Sequence, residues 1–326
     1  MLYGIDLGGT RIKIAAGKPS GELVDELAID TVAAGGPDDV TDRMIDATRR
    51  LSRRVGEPAT AVGVGVHGLV AVRRGVTKLL VNFPTRWIDH PLGERLSGAL
   101  GCPVRLLNDV RTATLGELRF GYGRGRPDLT MAFFSLGTGV GGGVVVDGNL
   151  RLGPLGAAGE LGHQTIVPDG PACGCGNRGC LEAVAGGPAL VAEGSRLMRT
   201  GAAPRLAELC GGDVAKVSPR LMSEAAAGDA AVDEYLDRVV GYIGVAAANV
   251  ATVLHPDAIV FGGGIAAMGD RLLDGVRTTL RRRVGMFPAE SVDVVASSLG
   301  GRAGVVGAVA LAALASGSTS AETSGA

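Results

Sequence analysis

Four residues that can bind zinc lie close together near the middle of the chain, and they restrict its fold more than any other feature. Cys173, Cys175 and Cys180 fall within eight positions, and His163 lies ten residues before the first of them. Three thiolates and an imidazole form a common ligand set of tetrahedral structural zinc. Glycines between the cysteines allow a short loop to bring the sulfurs together. The pattern predicts a structural zinc site, with buried or disulfide-bonded cysteines as the alternative.

Composition indicates a two-domain protein of the cytoplasm. The chain has 326 residues and a formal net charge of −1, which argues against nucleic-acid and membrane-surface partners. No secretory segment is recognised at its start, and the longest apolar run, residues 303–315, is shorter than the ~18–20 residues that span a bilayer. A reducing compartment favours metal binding over disulfides for the cysteine cluster.

Two glycine turns, each between two predicted strands, suggest phosphate-binding loops. The first joins strands at residues 2–6 and 12–16, and the second follows a strand at residues 129–136. Backbone N–H groups and a threonine hydroxyl in such turns suit phosphate oxygens, although many turns of this type are only hairpins. An aspartate beside the first turn can hold Mg²⁺ directly or through water. The residues concerned are Asp6, Gly8, Gly9, Thr10 and Arg11 in the first turn, and Gly137, Thr138 and Gly139 in the second.

A third glycine segment lies between a predicted strand at residues 258–261 and a predicted helix at residues 270–284. Its residues are Gly262, Gly263 and Gly264. Glycines allow a ligand to approach the backbone closely, and a helix N-terminus favours anions. This segment is a candidate nucleotide-binding site.

Polar residues follow two predicted buried strands, at residues 61–66 and 104–107. Asn108 and Asp109 end the second strand, where open α/β sheets bind their ligands. Asp109 precedes a predicted helix at residues 111–120, so it is either a helix cap or a site residue. A later turn with Asn82 and Trp87 either contacts a polyol or is a loop anchored by its aromatic residue.

The remaining chain reads as mostly helical. We predict helices at residues 37–54, 188–200 and 219–227, and a long helix capped by Asp229 that ends at residue 254. A strand at residues 292–296 and a helix at residues 303–315 complete the fold, and residues 316–326 read as a disordered tail.

Together these motifs resemble the ROK family of the actin/hexokinase/Hsp70 superfamily from residue 2 to about residue 314. The resemblance rests on D-L-G-G-T-R, L-N-D, L-G-T-G-V-G-G-G, G-E-L-G-H, C-G-C-G-N-R-G-C-L-E and F-G-G-G. It implies an α/β protein with two actin-like (ribonuclease-H-like) lobes, a cleft between them and a zinc loop. The first lobe would comprise residues 1–110 and the helix 303–315, and the second would comprise residues 111–302.

The same resemblance implies a sugar kinase that uses ATP and Mg²⁺ to phosphorylate a hexose. Asp109 matches the general base, and the zinc ligands match His163, Cys173, Cys175 and Cys180. Positions that match sugar contacts, or lie beside them, are His67, Gly68, Asn82, Asn108, Glu160, His163 and Glu182. Family members tend to form homodimers or homotetramers.

Several alternatives stay open on function and substrate. Glucose is the first expected acceptor, followed by fructose or an amino-hexose such as glucosamine, 3-amino-3-deoxyglucose or N-acetylmannosamine. The chain has His67 and Arg111 where family glucokinases commonly have Pro or Ala and Asn, so these positions can alter sugar choice or be neutral. A non-catalytic sugar-binding regulator and a polyphosphate-using kinase are further alternatives. We do not expect a repressor, because only five residues precede Asp6.

Overall fold

The computed structural model describes residues 1–80, 83–85 and 87–317. Its strands are β1 (Leu2–Leu7), β2 (Arg11–Gly17), β3 (Leu23–Asp30), β4 (Ala61–Val66), β5 (Leu69–Ala71), β6 (Val76–Leu79), β7 (Val104–Asn108), β8 (Met131–Leu136), β9 (Val140–Val146), β10 (Asn149–Arg151), β11 (Ala258–Gly262) and β12 (Asp293–Ala296). Its α-helices are α1 (Gly36–Val55), α2 (Leu92–Leu100), α3 (Asp109–Phe120), α4 (Leu181–Ala185), α5 (Gly187–Arg199), α6 (Pro204–Leu209), α7 (Pro219–Ala225), α8 (Ala230–Leu254), α9 (Asp270–Arg283) and α10 (Ala303–Ala315).

The chain divides into two compact units. Unit 1 contains residues 1–129, 144–158 and 297–326, and unit 2 contains residues 130–143 and 159–296. Helix α3 and the segment 121–129 therefore group with unit 1, whereas the predicted lobe boundary lies after residue 110. That predicted boundary stays a prediction.

A five-stranded sheet forms the centre of unit 1, in the order β3-β2-β1-β4-β7. The first three strands in sequence pair antiparallel, while β1, β4 and β7 pair in parallel. Strand β4 is buried along its whole length, as its run of valines and glycines predicts. Because β1, β4 and β7 are parallel, their carboxyl ends meet at one edge of the sheet.

Helix α10 lies directly against this sheet. A Cβ atom at Gly63 of β4 would come within 2.0 Å of the Ala308 carbonyl oxygen. A Cβ atom at Gly307 of α10 would lie 1.8 Å from the Thr112 carbonyl oxygen of α3. Glycine at these positions therefore permits backbone contact between the last helix, the central strand and the helix that begins at Asp109.

A second five-stranded sheet has the order β10-β9-β8-β11-β12. Strands β8, β11 and β12 are parallel to one another. The first and second sheets thus share the same order, with the fourth and fifth strands added beside the first. Two such sheets with α-helices confirm the predicted mixed α/β class and the repeat of architecture inferred from the two glycine turns.

Helix α8 is the one helix in the described part of the chain that is long and apolar enough to cross a membrane. In its most apolar window 56% of the residues are buried inside the protein, and the helix packs against α4 and α9. Asp233 and Asp237 on this helix form ion pairs with Arg271 of α9. It is a core helix by these contacts.

Most predicted elements are confirmed within about two residues, and α10 matches its predicted bounds. The predicted cap at Asp229 is wrong in its side-chain role. Asp229 precedes α8, but its carboxylate accepts hydrogen bonds from the backbone N–H groups of Arg205 and Leu206, at 3.0 and 2.8 Å. It therefore caps α6, a short helix that the sequence pattern did not reveal. The predicted tail lies outside the described residues from position 318 onward.

Candidate functional site

The carboxyl edge of the first sheet brings together residues that are far apart in sequence. Leu7 of β1 pairs with Val66 of β4, and Val66 pairs with Asn108 of β7. His67 and Asp109 are the next residues after the last two, so both lie at this edge. The Asn108 side chain connects the two positions, because its Nδ2 donates a hydrogen bond to the Gly68 carbonyl oxygen at 3.1 Å.

Asn108, and not Asp109, is the N-cap of α3. Its Oδ1 accepts hydrogen bonds from the backbone N–H groups of Val110 and Arg111, at 3.0 and 3.2 Å. Asp109 is the first residue of the helix and not its N-cap, and its role as a site residue stays a prediction. Asn108 thus satisfies two N–H groups of the first helical turn, so the Asp109 carboxylate is not required as the helix cap.

Two aspartates in unit 1 have perturbed acidity. Burial raises the pKa of Asp109, and His67, the Val110 backbone N–H and Arg111 partly oppose that change. Burial also raises the pKa of Asp6 to about 6, against the opposing charge of Lys13 and with a contribution from Asp109. Carboxylates with raised pKa at a strand edge are candidates for proton transfer and for binding cations.

His67 is buried, with 8% of its surface exposed. Its ring meets the ring of Phe83 edge-on at 4.4 Å. Burial lowers the pKa of His67, and the Asp109 charge and a hydrogen bond with the Leu7 backbone oppose this change. Among the described residues, nothing forms a hydrogen bond with its buried Nε2 atom.

The aromatic turn after β6 contains an anchoring residue. Trp87 is 1% exposed and packs between Phe83 and His90, at ring distances of 5.0 and 5.3 Å. This geometry favours the anchored-loop interpretation of Trp87. The predicted sugar contact Asn82 lies outside the described residues.

Arg111 is buried, with 2% of its surface exposed. Its Nε and Nη2 atoms both donate to the Ala158 carbonyl oxygen, at 3.1 and 2.9 Å. Its Nη1 atom donates to Asn108 Oδ1 at 3.1 Å. The sequence pattern marked this residue only as a departure from the family. Its hydrogen bonds to the neutral oxygens of Asn108 and Ala158 were not predictable from spacing.

The first glycine turn is exposed at its tip. Gly9 and Thr10 lie at the surface between β1 and β2, and the Gly8 N–H donates to the Arg11 carbonyl oxygen at 3.0 Å. Thr31 braces the turn by donating from its hydroxyl to the Gly8 carbonyl oxygen at 2.7 Å. This is a braced turn with accessible backbone, as a phosphate-binding loop requires.

The second glycine turn, in unit 2, is tied to Glu182. The Val140 N–H donates to Glu182 Oε2 at 2.9 Å, and a Cβ atom at Gly139 would lie 2.4 Å from the same oxygen. The Gly187 N–H at the start of α5 donates to the Gly137 carbonyl oxygen at 2.9 Å. The turn is thus held by neighbouring groups, while Thr138 between these contacts is exposed.

The four predicted zinc ligands come together in unit 2. One ligand atom from each of His163, Cys173, Cys175 and Cys180 lies within 4.8 Å of all the others. Cys173 Sγ is 3.7 Å from His163 Nδ1, and the sulfurs of Cys175 and Cys180 are 3.7 Å apart. Tetrahedral zinc with sulfur bonds of about 2.3 Å has sulfur–sulfur edges of about 3.8 Å, so the donor set fits zinc.

The acidity of the thiols is consistent with a cation-binding role. Burial and the neighbouring thiols of Cys175 and Cys173 raise the pKa of Cys180 to about 12. Three thiolates in this space would repel one another, whereas a divalent cation would stabilise all of them. The loop itself is closed by the Cys173 N–H, which donates to the Asn177 carbonyl oxygen at 2.8 Å.

His163 has two different neighbours. Its Nδ1 faces the cysteine cluster, and its Nε2 lies 3.9 Å from Glu160 Oε2. Glu160 is 46% and His163 33% exposed in their side chains. The Glu182 carboxylate is also linked to the cluster, because its Oε1 lies 3.9 Å from Cys173 Sγ. Two predicted sugar-binding residues of unit 2, Glu160 and Glu182, therefore lie beside the predicted metal ligands, and a third, His163, is one of those ligands.

Gly264, the last residue of the third glycine segment, lines a cavity of about 250 Å³ in unit 2. Gly263 has φ +88°, and a Cβ atom there would lie 2.3 Å from the Leu136 carbonyl oxygen, so this backbone conformation requires glycine. A short 3₁₀ turn, Gly264–Met268, separates the segment from α9. Arg220, Ser223 and Glu224 of α7 also line the cavity. Sequence reasoning missed these three, because α7 carries no motif.

Comparison with known proteins finds similar chains over almost the whole sequence. A model of the ROK family matches residues 2–314. A glucokinase from Streptomyces coelicolor is 35% identical over 96% of this chain and 97% of its own length. A Thermotoga maritima glucokinase is 34% identical over 95% of this chain and 96% of its own. The crystal structure of a ROK family glucokinase from Streptomyces griseus in complex with glucose and AMPPNP superposes with TM-score 0.82 at 33% identity, covering 96% of this chain and 99% of that one.

Proposed function

This chain belongs to the ROK family, and we propose that it is an ATP-dependent hexose kinase whose preferred acceptor is glucose. Two glucokinases at 34–35% identity over nearly the whole chain support this function. The structural relative bound to glucose and AMPPNP supports the same sugar and an adenosine triphosphate donor. The observation that carries the proposal is Asp109, a desolvated carboxylate that follows the cap of α3 at the carboxyl edge of the sheet.

In the proposed reaction Asp109 is the general base. Its carboxylate accepts the proton of the sugar 6-hydroxyl while that oxygen bonds to the γ-phosphorus, and the bond from phosphorus to the bridging oxygen breaks to leave ADP. Burial keeps the pKa of Asp109 above its ordinary value, which makes the carboxylate a better proton acceptor once ionised. Asn108 holds the first turn of α3 and so fixes the direction in which Asp109 projects.

We assign the acceptor sugar to two groups of residues. His67, Gly68 and Asn108 surround Asp109 in unit 1, and Asn82 is assigned with them from the family pattern alone. Glu160, His163 and Glu182 supply carboxylate and imidazole groups in unit 2, which suit ring hydroxyls. The zinc loop would hold the second group in place, so zinc is a structural support and takes no part in the chemistry.

The nucleotide is assigned to the three glycine segments. Gly8, Gly9, Thr10 and Arg11, with Gly137, Thr138 and Gly139, offer backbone and hydroxyl donors to the phosphates. Gly262, Gly263 and Gly264, with the cavity beside α7, suit the nucleoside. Asp6 would hold Mg²⁺ directly or through water. Mg²⁺ in such sites neutralises charge that develops on the transferred phosphoryl group.

The proposal is tested by a coupled ADP-release assay with ATP, Mg²⁺ and a panel of sugars. The panel contains glucose, mannose, fructose, glucosamine, 3-amino-3-deoxyglucose, N-acetylglucosamine and N-acetylmannosamine. We expect the highest kcat/KM with glucose. A higher value with an amino sugar would replace glucose as acceptor, and no turnover with any sugar, in folded zinc-containing protein, would favour a binding protein. Polyphosphate in place of ATP tests the donor.

Assembly and compartment complete the proposal. We expect a homodimer or homotetramer in the cytoplasm, from the tendency of the family and from the free thiols of the chain. Light scattering coupled to size-exclusion chromatography gives the mass of the assembly, and a monomer would contradict this expectation.

A further inference from the structure

Arg111 connects two segments that lead directly to proposed site residues. Through Nη1 it binds Asn108, the residue before Asp109. Through Nε and Nη2 it binds the carbonyl oxygen of Ala158, two residues before Glu160. We propose that Arg111 is a positioning residue of the kinase, which holds the Asn108 cap and the Ala158 carbonyl in the arrangement that the acceptor sugar requires. This inference rests on the proposed function.

The bond to Ala158 restrains a segment with little regular structure. Residues 152–159 follow β10 and contain Gly153, Gly156 and Gly159, with φ of +70°, +73° and +86°. Glycine has the greatest backbone freedom of all residues, so a segment with three glycines has a high conformational entropy when it is not restrained. Two donors from one planar guanidinium fix both the position and the direction of the Ala158 carbonyl. The restraint acts at the last residue that groups with unit 1.

The bond to Asn108 acts on the other segment. Asn108 Oδ1 accepts three hydrogen bonds, from the Val110 and Arg111 backbones and from Arg111 Nη1. The last of these fixes the amide so that Nδ2 faces Gly68. One buried side chain thus holds the cap of the helix that carries Asp109. Burial of a guanidinium costs free energy even when its hydrogen bonds are made, so a gain in positioning would explain why arginine stands here.

If Arg111 only stabilised the fold, its loss would have different effects from the loss of a positioning residue. Loss of a structural arginine lowers the melting temperature and reduces the amount of folded enzyme, but leaves the KM values of the folded fraction unchanged. Loss of a positioning residue lowers kcat of the folded enzyme or raises KM for the sugar, and leaves KM for ATP unchanged. A displacement of about 1 Å at a reacting group can cost about 100-fold in rate, so the two roles are separable.

The test compares full-length wild type with Arg111→Ala, Arg111→Lys and Arg111→Asn, in glucose- and ATP-dependent kinetics below each melting temperature. Arg111→Asn introduces the residue common in family glucokinases and guards against a variant that fails to fold. We expect kcat/KM for glucose to fall roughly 100-fold in Arg111→Ala, with KM for ATP unchanged. The fall should be smaller in Arg111→Lys, which keeps a charged donor, but wild-type activity should not return, because an ammonium cannot reproduce the planar fork. Millimolar guanidinium should restore part of the loss in Arg111→Ala.

Arg271→Ala is the matched control. Arg271 is partly buried, with 24% of its side chain exposed, and donates three hydrogen bonds, to Asp233 Oδ1, the Asp233 carbonyl oxygen and Asp237 Oδ1. It joins α8 to α9 in unit 2 and makes none of the hydrogen bonds that hold Asn108 or Ala158, so its loss should lower stability and leave KM for glucose unchanged. The inference is overturned if the Arg111 variants lose stability but keep kcat and KM for glucose, as Arg271→Ala should. It is also overturned if KM rises equally for glucose and ATP and guanidinium does not restore it. An inactive wild type would instead contradict the proposed function.

Discussion

Glu182 accepts a hydrogen bond from the backbone N–H of Val140, through Oε2 at 2.9 Å. Its other oxygen, Oε1, lies 3.9 Å from the sulfur of Cys173. The carboxylate therefore connects the glycine turn after β8 with the cysteine cluster. The orientation of the Glu182 side chain depends on the turn and on the cluster. A change in the cysteine cluster should therefore alter the position of the turn and of any ligand that Glu182 binds.

Loss of zinc should weaken sugar binding more than ATP binding. We expect Cys180→Ser to lose bound zinc and to reduce kcat/KM for glucose by about 10- to 100-fold, the range typical for disturbed metal surroundings. Metal content by mass spectrometry and the two KM values are the measurements. Cys102→Ser is the control, because Cys102 is a lone buried thiol of unit 1. Full activity in a zinc-free Cys180→Ser enzyme would show that the cluster does not support the site.

Burial of Asp6 makes the stability of the nucleotide-free protein depend on pH. The pKa of Asp6 rises from 3.8 to about 6 on folding, so the folded state binds the proton more tightly. Stability from this group is therefore present below pH 3.8 and is lost as the pH rises to about 6. Above that pH the cost is constant at about 3 kcal/mol, from about 1.4 kcal/mol per pKa unit.

Asp6→Asn should remove this cost and reduce turnover. Its melting temperature without nucleotide or Mg²⁺ should exceed that of wild type at pH 8, by more than it does at pH 5. Activity with ATP and Mg²⁺ should fall, because the carboxylate proposed to hold the ion is gone. Thermal melts at the two pH values, with the exposed Asp30→Asn as control, measure the effect. An equal difference at both pH values would contradict the assignment.

Sequence patterns gave the strands, most long helices and the metal ligands because each has a local signal. Alternation or continuous apolar runs mark strands such as β4, and ligand type and spacing mark the cysteines. Local patterns could not show which of Asn108 and Asp109 caps helix α3. Asn and Asp are both good caps, and only the backbone geometry shows which residue precedes the first helical turn.

Contacts between distant segments were also beyond the sequence. The Asp229 carboxylate caps α6, 23 and 24 residues earlier in the chain, and Arg111 binds a carbonyl 47 residues away. Such partners depend on tertiary packing, which no local pattern encodes. The residues of α7 that line the cavity could not be predicted for the same reason. Departures from a family motif, such as Arg111, were the one sequence signal that pointed to an unusual contact.

Contact between α10 and α3 makes Gly307 sensitive to substitution. A Cβ atom would lie 1.8 Å from the Thr112 carbonyl oxygen, so Gly307→Ala must force the helices apart, at a cost of about 1–3 kcal/mol or more. Gly98→Ala in α2 is the matched control, because a Cβ atom there has no neighbour within 4 Å. It should stabilise the protein by about 0.5–1 kcal/mol through helix propensity. Urea denaturation measures both changes, and the same sign for both would contradict the packing described.

Asp109→Asn should separate proton transfer from binding. Asparagine keeps the size of the side chain, and its carbonyl oxygen can still accept the Val110 N–H that Asp109 Oδ1 accepts at 2.9 Å. It cannot take the proton of a sugar hydroxyl, so kcat should fall by about 10²- to 10⁴-fold, the usual contribution of a general base. Glucose binding should persist, and calorimetric titration of the variant with glucose measures it apart from turnover. Because removal of a buried carboxylate with a raised pKa relieves a desolvation cost, the melting temperature should hold or rise. A variant with wild-type kcat would remove Asp109 from the role of base, whereas loss of glucose binding together with turnover would make it a binding residue.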